Sequence, residues 1–197
     1  RYPKGEITPI LDGNDKSGDE AWLNAGCISI PDGPVLKENK FFDKICFGYD
    51  KDNLYLRFYV NDYIKNSQEF FRRTHQMYIY TRNSNRKHSL SPIRLINKTE
   101  KVLPVAKEKF HNEIQLSIHE GKLRLVRLVK AIPNNLWVIQ NSREIASVFD
   151  EVIDLKVPFN LLDVAYGENL EFVFVNANIG INDVFIPNEM LLNIRRD

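Results

Sequence analysis

The segment KICFGYDKDNLYLRFYVND, residues 44–62, constrains the fold more than any other part of the chain. Ile45, Phe47, Leu54, Leu56, Phe58 and Val60 alternate with Lys44, Cys46, Tyr55, Arg57, Tyr59 and Asn61. A period of two puts the apolar set on one face of a β-sheet and the second set on the other. Asp50, Lys51, Asp52 and Asn53 stand between the two runs, and Asp and Asn bond to their own backbone or accept a left-handed conformation. The segment therefore predicts an antiparallel hairpin whose core side is apolar.

Further alternating runs follow the same logic. Strands are expected over 6–11, 26–30, 75–82, 113–118, 122–129, 136–140, 152–158 and 169–177, with 190–196 as an edge strand. Residues 142–149 fit a short helix or another strand, 67–72 a helical turn, and 89–104 neither pattern. Turn residues recur about every ten positions, the signature of a sandwich or barrel. The expected fold class is all-β, an antiparallel β-sandwich with few short helical turns. With 197 residues, 43% of them apolar, the chain is long enough for one well-cored domain, and no repeat or linker divides it. It begins at Arg1, so a piece of a longer protein is expected.

Charge and composition narrow the function classes. A net charge of +1 lacks the one-sided basic footprint of a nucleic-acid binder. No apolar run reaches the roughly 18 residues that span a bilayer. Cys27 and Cys46 both fall in expected strands beside apolar neighbours, which favours buried free thiols; a disulfide between neighbouring strands stays open. No phosphate-binding loop, nucleophile elbow or paired-histidine motif is present, and no two carboxylates stand apart as a glycosidase pair. Catalysis by this piece is not expected.

Four segments in order carry a resemblance: ILDGNDKSGDEAWLNAG (10–26), GYDKDNLYLRFYVND (48–62), EVIDLKVPFNLLDV (151–164) and GENLEFVFVNAN (167–178). The order resembles the sugar-binding β-sandwiches of carbohydrate-binding module family 9 and the wider DOMON-like group. It is similar also to the accessory β-sandwich C-terminal to glycoside hydrolase family 57 catalytic domains. The resemblance spans about two thirds of the chain and leaves 83–135 unassigned. It implies a non-catalytic accessory domain of a larger carbohydrate-active protein, extracellular or at the cell surface. Its partners would be a polysaccharide or oligosaccharide and the parent's catalytic domain. It gives Trp22 a packing role.

Sugars offer apolar C–H faces with a hydroxyl rim, so a binding module wants aromatic platforms edged by polar side chains. Trp137, between Asn134-Asn135 and Gln140-Asn141, has that setting, although a strand tryptophan also fits a core. Tyr55, Arg57, Tyr59, Tyr78, Tyr80 and Arg82 lie on the outward faces of their strands; they form either a glycan cradle or a layer packed under a loop. Asp12, Asn14, Asp15 and Asp19 make an oxygen-rich loop. Calcium takes about six to eight oxygens, and family 9 modules carry structural calcium; a solvated acidic turn is the other reading. Some DOMON-type sandwiches hold haem, for which His75 and Met77 are the candidate axial pair. The alternative in a different class is a structural accessory domain that packs on a catalytic domain without binding sugar.

Overall fold

A computed structural model describes residues 2–15, 20–30, 41–86, 88–93, 104–177, 184–187 and 190–196. The expected all-β antiparallel class holds. The strands are β1 (Gly26–Ser29), β2 (Phe42–Tyr49), β3 (Asn53–Val60), β4 (Thr74–Asn83), β5 (Ser91–Pro92), β6 (Lys109–Phe110) and β7 (Asn112–His119). They continue as β8 (Lys122–Ile132), β9 (Leu136–Gln140), β10 (Ala146–Phe149), β11 (Ile153–Pro158), β12 (Asn169–Ala177), β13 (Val184–Ile186) and β14 (Leu192–Arg195). Among the described residues the helices are two short ones, α1 (Asp62–Lys65) and α2 (Gln68–Arg72), and a few single 3-10 turns. No helix among the described residues is long and apolar enough to cross a membrane.

The expected strand over 6–11 is not one: the segment has no regular secondary structure and attaches to the sheet through a bond from Ile7 N–H to the Tyr49 carbonyl, 2.8 Å. The open choice at 142–149 resolves to the strand β10. Part of the ambiguous stretch, 94–103, lies outside the described residues. Contacts divide the chain into two compact units. The first comprises Arg1–Arg73, His119–Leu123 and Arg143–Phe159; the second comprises Thr74–Ile118, Arg124–Ser142 and Asn160–Asp197.

The first unit holds a five-stranded sheet in the order β1-β2-β3-β11-β10. Its register aligns Ile45, Phe58 and Ile153 in one row and Phe47, Leu56 and Leu155 in another. All six are fully buried, as their alternation requires. The other face carries the row Cys27, Cys46, Arg57 and Asp154. The N-terminal segment lies over it, packing Ile7, Trp22 and Ala25 against Cys46 and Tyr55. The cysteines, expected as free thiols, form a disulfide. They are direct partners on adjacent strands, 4.1 Å apart at Cα, and share this face. Disulfides persist in oxidising surroundings.

The second unit holds a seven-stranded sheet, β13-β12-β4-β7-β8-β9, with β14 also paired to β12. On β4, Met77 and Ile79 are buried on one face, and His75 shares it, also buried. Tyr78, Tyr80 and Arg82 lie on the opposite face, across from Val175, Val173 and Glu171 of β12. There Ile93, Val105 and Phe110 form a second apolar layer around Tyr80. β9 ends the sheet and leaves Leu136 57% and Ile139 61% exposed.

Gly48 explains how closely the N-terminal segment sits. A Cβ built at Gly48 would lie 2.4 Å from Ile7 Cδ1. Replacing a strand glycine normally helps, but here Gly48→Ala is expected to cost about 1–3 kcal/mol through overpacking. Urea unfolding of Gly48→Ala, Ile7→Ala and the double variant checks this. The double variant should lose clearly less than the sum of the singles, because truncating Ile7 makes the room.

Candidate functional site

The first unit contains a cleft of about 480 Å³, lined by the acidic Asp15, Asp43, Asp62 and Glu151, the basic Lys44 and Lys65, and by Tyr59 with two valines. Its walls come from distant parts of the sequence, and three local devices bring them together.

The first device is a β-bulge. Phe42 pairs with Val60 and Lys44 with Tyr59, so Asp43 is the extra residue on β2. A bulge bends its strand and re-aims the side chain there. The second is Asn61. Its Oδ1 accepts from the Tyr63 and Ile64 N–H groups at 3.0 and 3.3 Å, which caps α1. Its Nδ2 donates to Asp43 Oδ1 at 2.7 Å, so one residue fixes both the helix and the bulge carboxylate. The third is Gly13. Its carbonyl accepts from the N–H groups of Glu151 and Val152 at 2.8 and 2.9 Å. Only glycine fits there, because φ is +73° and a Cβ would meet Asp150 N at 2.8 Å. The rim closes with two bonds to Glu151: Asp15 N–H donates to its Oε2 at 3.3 Å, and Lys65 Nζ donates to its carbonyl at 2.9 Å.

Arg57 and Asp154, direct cross-strand partners on β3 and β11, lie on the same face as Tyr59. Arg57 Nε and Nη2 donate to the two Asp154 oxygens at 2.7 and 2.9 Å, and both side chains are 0% exposed. Gly13 N–H donates to Asp154 Oδ2 at 3.3 Å. The Trp22 ring stacks 4.8 Å from the guanidinium carbon. Arg57 Nη1 has no hydrogen-bond acceptor, so the electron-rich Trp22 face is the surface that this cation meets. Tyr59 follows two residues on. Burial, first, and then the nearby Asp15 carboxylate push its phenol up to about 12, while the Arg57 guanidinium opposes the rise.

Of the residues singled out in the sequence, Tyr59 and Asp15 meet in this cleft. Two others on the same face are not available to a ligand, contrary to the cradle reading. Tyr55 is 4% exposed and donates to Asp50 Oδ2 at 2.6 Å; Asp50 also accepts from the Asp52 and Asn53 N–H groups and so organises the hairpin turn. Arg57 is spent on Asp154. In both cases the overlying N-terminal segment covers what alternation alone leaves outward. Asp12 Oδ1 accepts from Asn14 N–H at 2.9 Å, which closes a local turn. Asp19 lies outside the described residues. Among the described residues no three His, Cys, Asp or Glu side chains gather as a metal-binding group.

The remaining candidates sit in the second unit. Tyr80 is 1% exposed beneath the apolar layer, in keeping with the packed-layer alternative and not with the glycan cradle. Tyr78 stacks on it at 6.3 Å, and half-buried Trp137 meets it edge-on at 6.0 Å. Arg82 is held by Glu171 at 2.5 Å and Glu108 at 2.6 Å. Gln140 is exposed at the end of β9. Trp137 is therefore neither fully core nor a free platform, and its strand neighbours Leu136 and Val138 are exposed aliphatics.

Asp43, Lys44, Asp62, Lys65 and Glu151 were not singled out in the sequence. The available signal was the Val-Asn-Asp end of β3, since Asn followed by an acidic residue marks a helix start. The bulge at Asp43 left no sequence signal.

No family model matches the chain, and no curated protein matches it. Among solved structures, the chain is similar to a carbohydrate-binding module of family 9 from Caldicellulosiruptor kristjanssonii in complex with glucose. The identity is 12% and the TM-score 0.38, over 92% of this chain and 81% of that one.

Two outcomes follow from this geometry. Arg57→Leu or Asp154→Leu, by leaving one buried charge alone, should each cost about 3–5 kcal/mol in urea unfolding; the double variant should cost less than their sum. The second outcome concerns Tyr59. Its folded-state pKa lies above the ordinary value of about 10, so the unfolded chain ionises first. Its contribution is full below about pH 10 and is lost as pH rises toward about 12. Ultraviolet titration of Tyr59→Phe should show the loss of one late-ionising phenol.

Proposed function

We propose that this chain is a non-catalytic carbohydrate-binding domain and that the cleft of the first unit is its site. The observation that carries the reading is the cleft's character. Its volume, about 480 Å³, falls within the roughly 300–1,000 Å³ usual for small-ligand pockets. Its lining is unusual for an apolar ligand: six of the nine described lining residues are charged, and one aromatic ring lies among them. Carboxylates accept from sugar hydroxyls, ammonium groups donate to them, and the ring suits a pyranose face. The wall carboxylates Asp43 and Glu151 already accept bonds from the protein, which holds them in place as acceptors for a ligand. Bonds of this kind exchange for water at small net gain, so single-site affinity is modest. A larger carbohydrate-active parent would gain from such a domain by tethering.

One observation favours a second reading, a structural accessory domain. Leu136, Val138 and Ile139 are exposed together on the edge strand β9. An apolar sheet edge invites pairing with another chain.

Affinity electrophoresis in gels containing starch, xylan, mannan or a soluble cellulose derivative separates the two. Retardation by one polysaccharide is expected, weakened about tenfold by Asp43→Ala or Glu151→Ala and unchanged by Trp137→Ala. Retardation lost only in Trp137→Ala would move the site to the second unit. No retardation, with self-association relieved by Leu136→Ser and Ile139→Ser, would favour the structural reading.

A further inference from the structure

Lys44 stands apart from the other charges of the cleft. Lys65 is fixed, with its Nζ on the Glu151 carbonyl at 2.9 Å and 3.8 Å from Asp62 Oδ1. Four carboxylates line the same cleft, yet Lys44 forms no ion pair among the described residues. Its Nζ lies instead 3.9 Å from the centroid of the Tyr59 ring. The contact is set by the backbone, because Lys44 and Tyr59 are direct cross-strand partners on one face of the sheet. Tyr59 is also the sole aromatic ring among the described lining residues. In the free cleft the one surface suited to a pyranose face is covered by an ammonium group.

We propose that Lys44 gates the cleft: it occupies the Tyr59 face until a neutral sugar ring displaces it toward the neighbouring carboxylates. The proposal rests on the cleft being the sugar site. A cation on a partly exposed ring is weakly held, so displacing it lowers affinity by only about two- to fivefold. The carboxylates that receive the displaced ammonium, Asp43 and Asp15, are already part of the lining. The device lowers the affinity of every ring-stacking ligand by the same small factor, and it leaves the hydrogen-bonding rim unchanged.

Calorimetric titration of the wild-type chain and of Lys44→Ala with maltotriose, cellotriose, xylotriose and mannotriose tests this. Lys44→Ala should bind the same sugar as the wild type, about two- to fivefold more tightly. In proton spectra of the free wild type, the Lys44 ε-methylene protons should be shifted upfield by the ring and return to their ordinary position at saturation. Binding by Lys44→Ala alone would overturn the weak, displaceable cover, since a cost of about two- to fivefold leaves wild-type binding measurable. Wild-type binding with Lys44→Ala weaker or unchanged would overturn the gating role and leave the sugar cleft standing. No binding by either protein would overturn both.

Discussion

The buried pair Arg57–Asp154 is the constraint on which the first unit depends. Two charges taken fully out of water are tolerated only when their geometry is close to ideal and most of their remaining polar atoms are met. Here the pairing is bidentate, Asp154 takes a third bond from Gly13 N–H, and Trp22 covers the guanidinium. Each partner comes from a different stretch of chain, so satisfying this pair forces the N-terminal turn, β3 and β11 into one place. The cleft is a consequence. Once Gly13 is docked on the chain entering β11, Asp15 and Glu151 stand together at its rim.

Much of this was legible in the sequence, for a definite physical reason. Alternation in 44–62 fixes the faces of β2 and β3, and Asp50 specifies their turn through bonds to its neighbours' backbone. Strands at 136–140 and 169–177 follow from the same period and have the expected bounds. Gly13 proves necessary both for its positive φ and for close approach to Asp150. Such features are written locally, in residues that act on their own neighbours.

What was illegible depends on contacts distant in sequence. Alternation shows that Tyr55 and Arg57 leave the apolar face, but not that residues near the N-terminus cover them. The same holds for Tyr80, buried by Val105 and Phe110 from a stretch with no clear period. The disulfide required the register that sets Cys27 against Cys46. The cleft was hidden for a related reason: its charged residues look like ordinary solvated positions until a one-residue bulge and a side-chain cap gather them. Trp137 drew attention by residue type, and its half-buried setting among aliphatics gives less support to a sugar platform than Tyr59 has.

The account's central claim is that sugar is held in the cleft of the first unit. Backbone amide spectra recorded during titration with a soluble oligosaccharide test it directly, because they locate binding without a mutation. The account predicts that the largest shifts fall at Asp15, Asp43, Lys44, Tyr59, Asp62 and Glu151 while the amides of 136–140 stay still. Shifts concentrated at Tyr78, Trp137 and Gln140, with the cleft residues unmoved, would contradict it.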